Sequence, residues 1–311
     1  MLFRSNFHLN AQHAKKGREV PDAGHKDWEM EHAGKWHRLA DPIWNGLVWS
    51  GDAAADFAIS TAALFDAHLS AISFAYEPPV GGSVFDGLTP SIIDAWRAER
   101  MDAAEQARGA FEQNARRAGL QTDTRVIAAS TAGAADIIST IARSYDLSIL
   151  PQSEPDDDVS DTLAIEATLF GSGRPVLVVP YIQKAAIKLD RVIVCWDGSR
   201  NAARAVGDAM PFLKRAKTID VVTVEHKESR KELRGAQIAE HLARHKLRID
   251  LKPIVAPNTD VASVILSYAA DSSADLIVMG AYGHSRMREL IMGGATRTII
   301  TSMTVPVLLS H

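Results

Sequence analysis

The stretch from Asp275 to His311 constrains the fold more than any other: DLIVMGAYGHSRMRELIMGGATRTIITSMTVPVLLSH. Leu276 to Met279 is an apolar run short enough for a strand buried on both faces, and it stops at Gly280. Gly283 follows three residues on, and Gly293 with Gly294 comes ten residues after Gly283. Glycines directly after a buried strand let backbone amides approach a ligand closely, or take φ above zero. Gly294 then opens a segment, Ala295 to Ser302, that can be helical. Its free N–H groups and positive dipole end would face back toward the strand, an arrangement that binds anions. Pro306 breaks the chain, and Val307 to Leu309 gives another buried strand.

Upstream, strand and helix patterns alternate. From about Asn45 the expected order is a strand at Leu47 to Trp49, an alanine-rich helix from Asp52 to Phe65 and a strand at His68 to Tyr76. A long helix follows from about Pro90 to Ala118, then a strand at Thr124 to Ala129, a helix to Ser144 and a strand at Asp146 to Leu150. An acidic loop, PQSEPDDDVSD, leads to a short helix ending at Phe170 and a strand at Pro175 to Val179. The same order recurs after Asp190: strands at Arg191 to Trp196, Ile219 to Val224, Leu247 to Val255 and Leu276, with helices at Ala202 to Leu213, about Glu228 to His245, and Asp260 to Ala270. RPVLVVP at 174–180 matches VPVLLSH at 305–311, and SYDLSIL at 144–150 matches AADLIVM at 273–279. Two shared blocks in one order mark an internal repeat, with a boundary between Tyr181 and Asp190. Alternating strands and helices imply right-handed parallel crossovers and a sheet covered on both faces.

The spacing G-x2-G-x9-G followed by a small residue, set between MGAYG and PVLL, resembles the nucleotide loop of the universal stress protein family. The resemblance covers about residues 45–311 and is strongest in the second half. It implies an α/β fold of two tandem Rossmann-like (adenine nucleotide alpha hydrolase-like) domains, each a five-stranded parallel sheet covered by helices. On that reading residues 1–40 are a polar extension, 41–183 a degenerate domain and 188–311 the nucleotide-binding one. The implied ligand is ATP or a related adenine nucleotide, with or without Mg²⁺. Asp197 would face the adenosine, Cys195 and Trp196 would line the base pocket, and Val224 would offer its backbone to the adenine edge. Met279, Gly280, Gly283, Gly293, Gly294, Ala295 and Thr296 match the phosphate and ribose loop.

The residues themselves leave alternatives. Asp197 can cap the helix that begins near Ser199, Val224 can be a sheet-core valine, and Cys195 a small core residue. Trp196 stands where the family more often has a smaller side chain. Gly294 replaces the usual hydroxyl, a donor worth about 0.5–1.5 kcal/mol. In the first half Pro151 falls opposite Gly280, Glu154 opposite Gly283, and Thr162 and Leu163 opposite the glycine pair. Asp156, Asp157 and Asp158 would repel phosphate there. The first half is therefore expected to have lost nucleotide binding and to act as a docking partner.

Other chemistries find less support. The net charge of −4, with Asp and Glu outnumbering Lys and Arg, argues against nucleic acid. A single cysteine fits a reducing compartment, and the sequence shows neither a bilayer-length apolar run nor a secretory signal, which points to the cytoplasm. There is no G-x4-G-K-[ST] loop and no G-x-S-x-G elbow. His241 and His245, in EHLARH, read as the polar face of a helix. His8, His13, His25, His32 and His37 give either a metal-binding tail or a plain extension. With no general base in view, the expected activity is nucleotide-gated binding of an unknown protein partner rather than catalysis; rival readings are a slow ATPase and a scaffold whose pocket has closed. Exposed edges of such sheets invite pairing, so a homodimer is open to the chain, and the sequence does not say whether the last strands would make it.

Overall fold

The computed structural model of the chain describes residues 2–3, 45–49, 52–77, 90–153, 160–225, 235–256, 259–281 and 294–311. Its elements in the first part are β1 (Leu2–Phe3), β2 (Asn45–Trp49), α1 (Asp52–Phe65), β3 (His68–Tyr76), α2 (Pro90–Arg117), β4 (Thr122–Ala129), α3 (Thr131–Ala142), β5 (Leu147–Pro151), α4 (Ser160–Gly171) and β6 (Val176–Val179). The second part holds β7 (Arg191–Cys195), α5 (Arg200–Leu213), β8 (Thr218–Glu225), α6 (Ala236–Arg244), β9 (Ile249–Val255), α7 (Val261–Asp271), β10 (Leu276–Gly280), α8 (Gly294–Ser302) and β11 (Val307–Ser310). Each strand and helix expected from the periodicity is present within a few residues, apart from the first two turns expected of the helix before His245 and the acidic loop, which lie outside the described residues. Leu2–Phe3, in a stretch expected to carry no periodic element, is a short strand antiparallel to both β2 and β5.

The described strands join one sheet in the order β4-β3-β2-β1-β5-β6-β11-β10-β7-β8-β9. Setting β1 aside, the two wings repeat one strand order, each running outward from its fifth strand, and within each wing the pairings are parallel. The wings meet at an antiparallel pair, with Val307 opposite Val178, Leu308 opposite Leu177 and Leu309 opposite Val176.

Side chains alternate across this sheet with period two, and both faces are apolar. Leu147, Ile149, Leu177, Val192, Val194, Leu276, Val278 and Leu308 face a core built with α1, α2, α5 and α6. Leu150, Val176, Val178, Ile193, Ile277, Met279, Val307 and Leu309 face a second core built with α3, α4, α7 and α8. Both cores run across the central pair. Phe65 of α1 meets Phe212 of α5 edge-on at 4.9 Å, and the Arg215 guanidinium lies 4.4 Å from the Phe65 ring centre. On the other face Gln152 Nε2 donates to the Ile300 carbonyl of α8 at 2.9 Å. The connecting segment packs back on α1, where the Ile187 amide donates to Ser60 Oγ at 3.1 Å and Leu189 is buried.

The topology answers a question that the sequence leaves open, whether the last strand is free to pair with a second copy. β11 has β10 on one side and β6 on the other, so it has no free edge for a second copy to join. The edges lie instead at β4 and β9. β9 carries Lys252 and Pro253, the residue types that blunt edge-to-edge pairing.

Two carboxyl groups lie near strand starts, one fully buried and one half-buried. Asp220 of β8 is fully buried and accepts from Arg191 Nη1 at 2.6 Å and from the Tyr268 hydroxyl at 3.0 Å. Asp146, just before β5, lies 3.8 Å from Arg174, and burial pushes its carboxyl up to about 6 against a weaker pull from Arg174. A carboxyl held above its unfolded pKa favours the native state only while protonated. That contribution is complete below about pH 4 and is lost as the pH rises through about 6.

Both groups give measurable outcomes in urea unfolding. Arg191→Ala leaves a buried carboxylate without its cation and should cost about 3 kcal/mol, against about 1 kcal/mol for Tyr268→Phe. Asp146→Asn should be more stable than wild type by about 1–3 kcal/mol at pH 8 and no more stable at pH 4.

Candidate functional site

β7 and β10 lie side by side in the second wing, and the chain leaves them in opposite directions, β7 toward β8 and β10 toward β11. The gap beyond their carboxyl ends is therefore the switch point of a doubly wound sheet, where such sheets take ligands.

The wall on the β7 side is a tight turn. Cys195 is the last β7 residue paired with β8, opposite Val222, and the Trp196 amide donates to the Val222 carbonyl at 2.8 Å. Gly198 has φ of +80°, and Asp197 Oδ1 accepts from the Ser199 amide at 2.8 Å. Ser199 Oγ in turn accepts from the Ala202 amide at 3.1 Å, so Ser199 rather than Asp197 is the N-cap of α5. Asp197 holds the turn and stays exposed at the mouth of the gap.

Val224 joins this wall through its backbone. On β8, Ile219 donates to the Arg248 carbonyl and Glu225 accepts from the Ala256 amide, both on the β9 side, while Val222 bonds toward β7. Alternation along the strand turns the Val224 amide and carbonyl to the β7 side, two residues beyond the last β7–β8 pair. Among the sequence candidates, Cys195, Val224 and Met279 share the face covered by α7 and α8, whereas Trp196 packs into the opposite core. The bulky indole is thus parted from Cys195, with which it was expected to line the base pocket. Burial, reinforced by Asp197, pushes the Cys195 thiol up to about 12, so it stays protonated and is no nucleophile at neutral pH.

The opposite wall is the tip of β10. A Cβ on Gly280 would lie 2.4 Å from both the Ala202 nitrogen and the Asn201 carbonyl carbon, so here glycine admits the first turn of α5 against the strand end. That approach brings Asn201 Nδ2 onto the Ala281 carbonyl, with His311 Nδ1 3.1 Å from the amide nitrogen and 3.2 Å from the same carbonyl. Asn201 and His311 were not singled out from the sequence. They are 110 positions apart, and no spacing rule links them.

α8 begins at Gly294, where an added Cβ would meet nothing within 4 Å among the described residues. Ala295 is half-buried, and Thr296 is 4% exposed on the inner side of the helix beside Ile299 and Ile300. Thr296, matched from the sequence to the phosphate and ribose loop, thus has its side chain buried. Gly283 and Gly293 lie outside the described residues, as do the acidic residues 154–158 and the five N-terminal histidines.

The corresponding tip in the first wing differs. Pro151 stands where the second wing has Gly280, and Gln152 stands where it has Ala281. The Gln152 amide donates to Val179 at 2.8 Å as the Ala281 amide does to Ser310. His241 and His245 are exposed on α6 with ring centres 5.0 Å apart, and among the described residues no group of three or more potential ligands is placed to hold a metal ion. Among those residues, too, no helix is long and apolar enough to cross a membrane.

Residues 188–311 match the model of the Universal stress protein family, and the chain carries a domain of that family there. A universal stress protein of Synechocystis is 29% identical over 140 residues, covering 43% of this chain; the chain spans 46% of that relative's length. Among solved structures, a universal stress protein from Archaeoglobus fulgidus superposes over 86% of this chain and 95% of its own with a TM-score of 0.66 at 17% identity. A functionally unknown protein from Pseudomonas aeruginosa covers 86% of this chain and 92% of its own at a TM-score of 0.53 and 14% identity. These likenesses establish the α/β fold, a sheet of mainly parallel strands with helices on both faces.

The close approach at Gly280 generates a direct test. Gly280→Ala forces the first turn of α5 away from the strand, at about 1–3 kcal/mol of stability. Gly294→Ala meets open space and should leave the thermal midpoint nearly unchanged. Scanning calorimetry on the two variants checks the contrast.

Proposed function

We propose that the universal stress protein domain at residues 188–311 binds an adenine nucleotide, ATP in the first instance, in the gap between the Asp197 turn and the tip of β10. The observation that carries this reading is the convergence at one switch point of three unlike groups. An exposed carboxylate on a glycine turn suits ribose hydroxyls or a base amine. The Val224 amide and carbonyl, turned past the end of β7, present a donor and an acceptor to the edge of a planar base. The start of α8 is a positive dipole end with open space at Gly294, suited to phosphate. Cys195 and Met279 supply apolar surface on the same face.

On this reading the chain is a tandem, with a polar extension at 1–40, a first domain at 41–183 and the nucleotide-binding domain at 188–311. The repeated strand order and the matched amide bonds at Gln152 and Ala281 support it. Pro151 in place of Gly280 favours a first domain that no longer takes nucleotide. Nucleotide occupancy would bias the surface around α8 between two states, and a protein partner would read the difference.

Equilibrium binding of labelled ATP to wild type, Asp197→Ala and Gly294→Glu tests the site. Wild type should bind saturably, Gly294→Glu should bind at least about tenfold more weakly through charge repulsion at the helix start, and Asp197→Ala should lose several-fold. Equal uptake by all three would remove the nucleotide from the account.

A further inference from the structure

The bond from Asn201 to Ala281 joins the two walls of the gap. Asn201 sits in the first turn of α5, two residues after the Ser199 cap and four after Asp197, and is 9% exposed. Ala281 is the residue after β10, its own amide bonded to Ser310 of β11 at 2.8 Å. His311 follows β11, and its ring completes a triangle with the Asn201 amide nitrogen and the Ala281 carbonyl. An asparagine amide carries two hydrogens. One reaches the Ala281 carbonyl, and His311 Nδ1 lies within hydrogen-bond reach of both the amide nitrogen and that carbonyl. The far edge of that ring is met by Phe170 of α4, in the first wing, at a centroid distance of 4.9 Å and an angle of 78°.

We infer that Asn201 and His311 are positioning residues for the nucleotide gap, fixing the separation of the Asp197 turn from the β10 tip, and that the first wing supports them through Phe170. The inference rests on the nucleotide reading above only for its functional consequence; the latch itself rests on the contacts. It gives the first wing a task that needs no ligand of its own. Among the described residues, the groups in contact with the ring are the Asn201 amide, the Ala281 carbonyl and the Phe170 ring. Two nearby arginines are paired, Arg204 with Asp208 at 2.8 Å and the Gly173 carbonyl at 3.0 Å, and Arg174 with Asp146 at 3.8 Å.

The test uses the full chain, wild type and Asn201→Asp, Asn201→Asp with His311→Phe, and Phe170→Ala, at pH 6 and pH 8. Readouts are the ATP dissociation constant by calorimetry and hydrogen exchange of residues 276–281, corrected for the intrinsic effect of pH. Asn201→Asp sets a carboxylate against the Ala281 carbonyl and should weaken ATP binding about tenfold at pH 8. Most of that loss should be regained at pH 6, where a histidine can be protonated and Nδ1–H can donate to both oxygens. The double variant keeps an aromatic ring against Phe170 but has no ring nitrogen, and should regain nothing. Phe170→Ala should raise the dissociation constant about threefold. A pH recovery that survives in the double variant, or Asn201→Asp equal to wild type at both pH values, overturns the latch. If wild type takes up no ATP at millimolar concentration, the nucleotide reading falls, and exchange alone decides. Protection of 276–281 lost in Asn201→Asp at pH 8 and restored at pH 6 upholds the latch, and unchanged protection overturns it.

Discussion

The antiparallel pairing of β6 with β11 is the constraint on which the rest depends. Four residues at each strand are buried on both faces, and opposite residues in the register belong to the same core, Leu308 with Leu177 on one side and Val307 with Val178 on the other. Fully burying such side chains contributes about 1.5–3 kcal/mol each. The wings therefore share two continuous cores. An antiparallel join also inverts one wing relative to the other, so their switch points open at opposite ends of the sheet. Each wing's fifth-strand side then lies beside the other wing's switch point. That is how Phe170 comes to touch His311 and Gln152 comes to touch the last turn of α8.

Strands and helices were legible because the sheet is buried on both faces. Runs such as VIVC, LIVM and VLLS are nearly unbroken apolar segments bounded by glycine, proline or aspartate, and the helices between them carry a stripe of alanine and leucine. The matching sequence blocks were legible for the same reason, since β5, β6, β10 and β11 are almost wholly buried and their sequences stay alike. The join between the wings was not. Nothing in VLVV or VLLS distinguishes an inner strand from an edge. Leu2–Phe3 was hidden because two residues carry no period.

At the site, the sequence located the turn and the strand tip but misjudged what some side chains do. Gly280 reads as room for a ligand and turns out to be room for α5, whose backbone would lie 2.4 Å from a Cβ. The alternative in which Asp197 caps α5 gives way to one in which it braces Ser199, the residue that caps. Trp196 looked like an obstacle in the base pocket; alternation puts it in the opposite core. Thr296 reads as a phosphate ligand, yet the helical phase of α8 buries it. In each case the residue type was informative about the local backbone, while the direction of the side chain followed from packing between elements far apart in sequence.

The contrast between the two strand tips shows how one architecture can be turned to two uses. Both tips keep the same amide bond to their fifth strand, from Gln152 to Val179 and from Ala281 to Ser310. The strand ends themselves differ by one substitution of consequence. Glycine at 280 lets a helix turn press against the tip and deliver the Asn201 amide to it. Proline at 151 brings a ring instead, and a ring cannot be accommodated where even a Cβ would lie 2.4 Å from backbone atoms. The next residue then takes a different role as well: Gln152 reaches away from its own wing, donating to Ile300 and accepting from the Tyr181 amide at 3.3 Å, and so braces the other wing's helix. A tip that has given up the close approach of its own helix thereby becomes part of the frame that holds its counterpart.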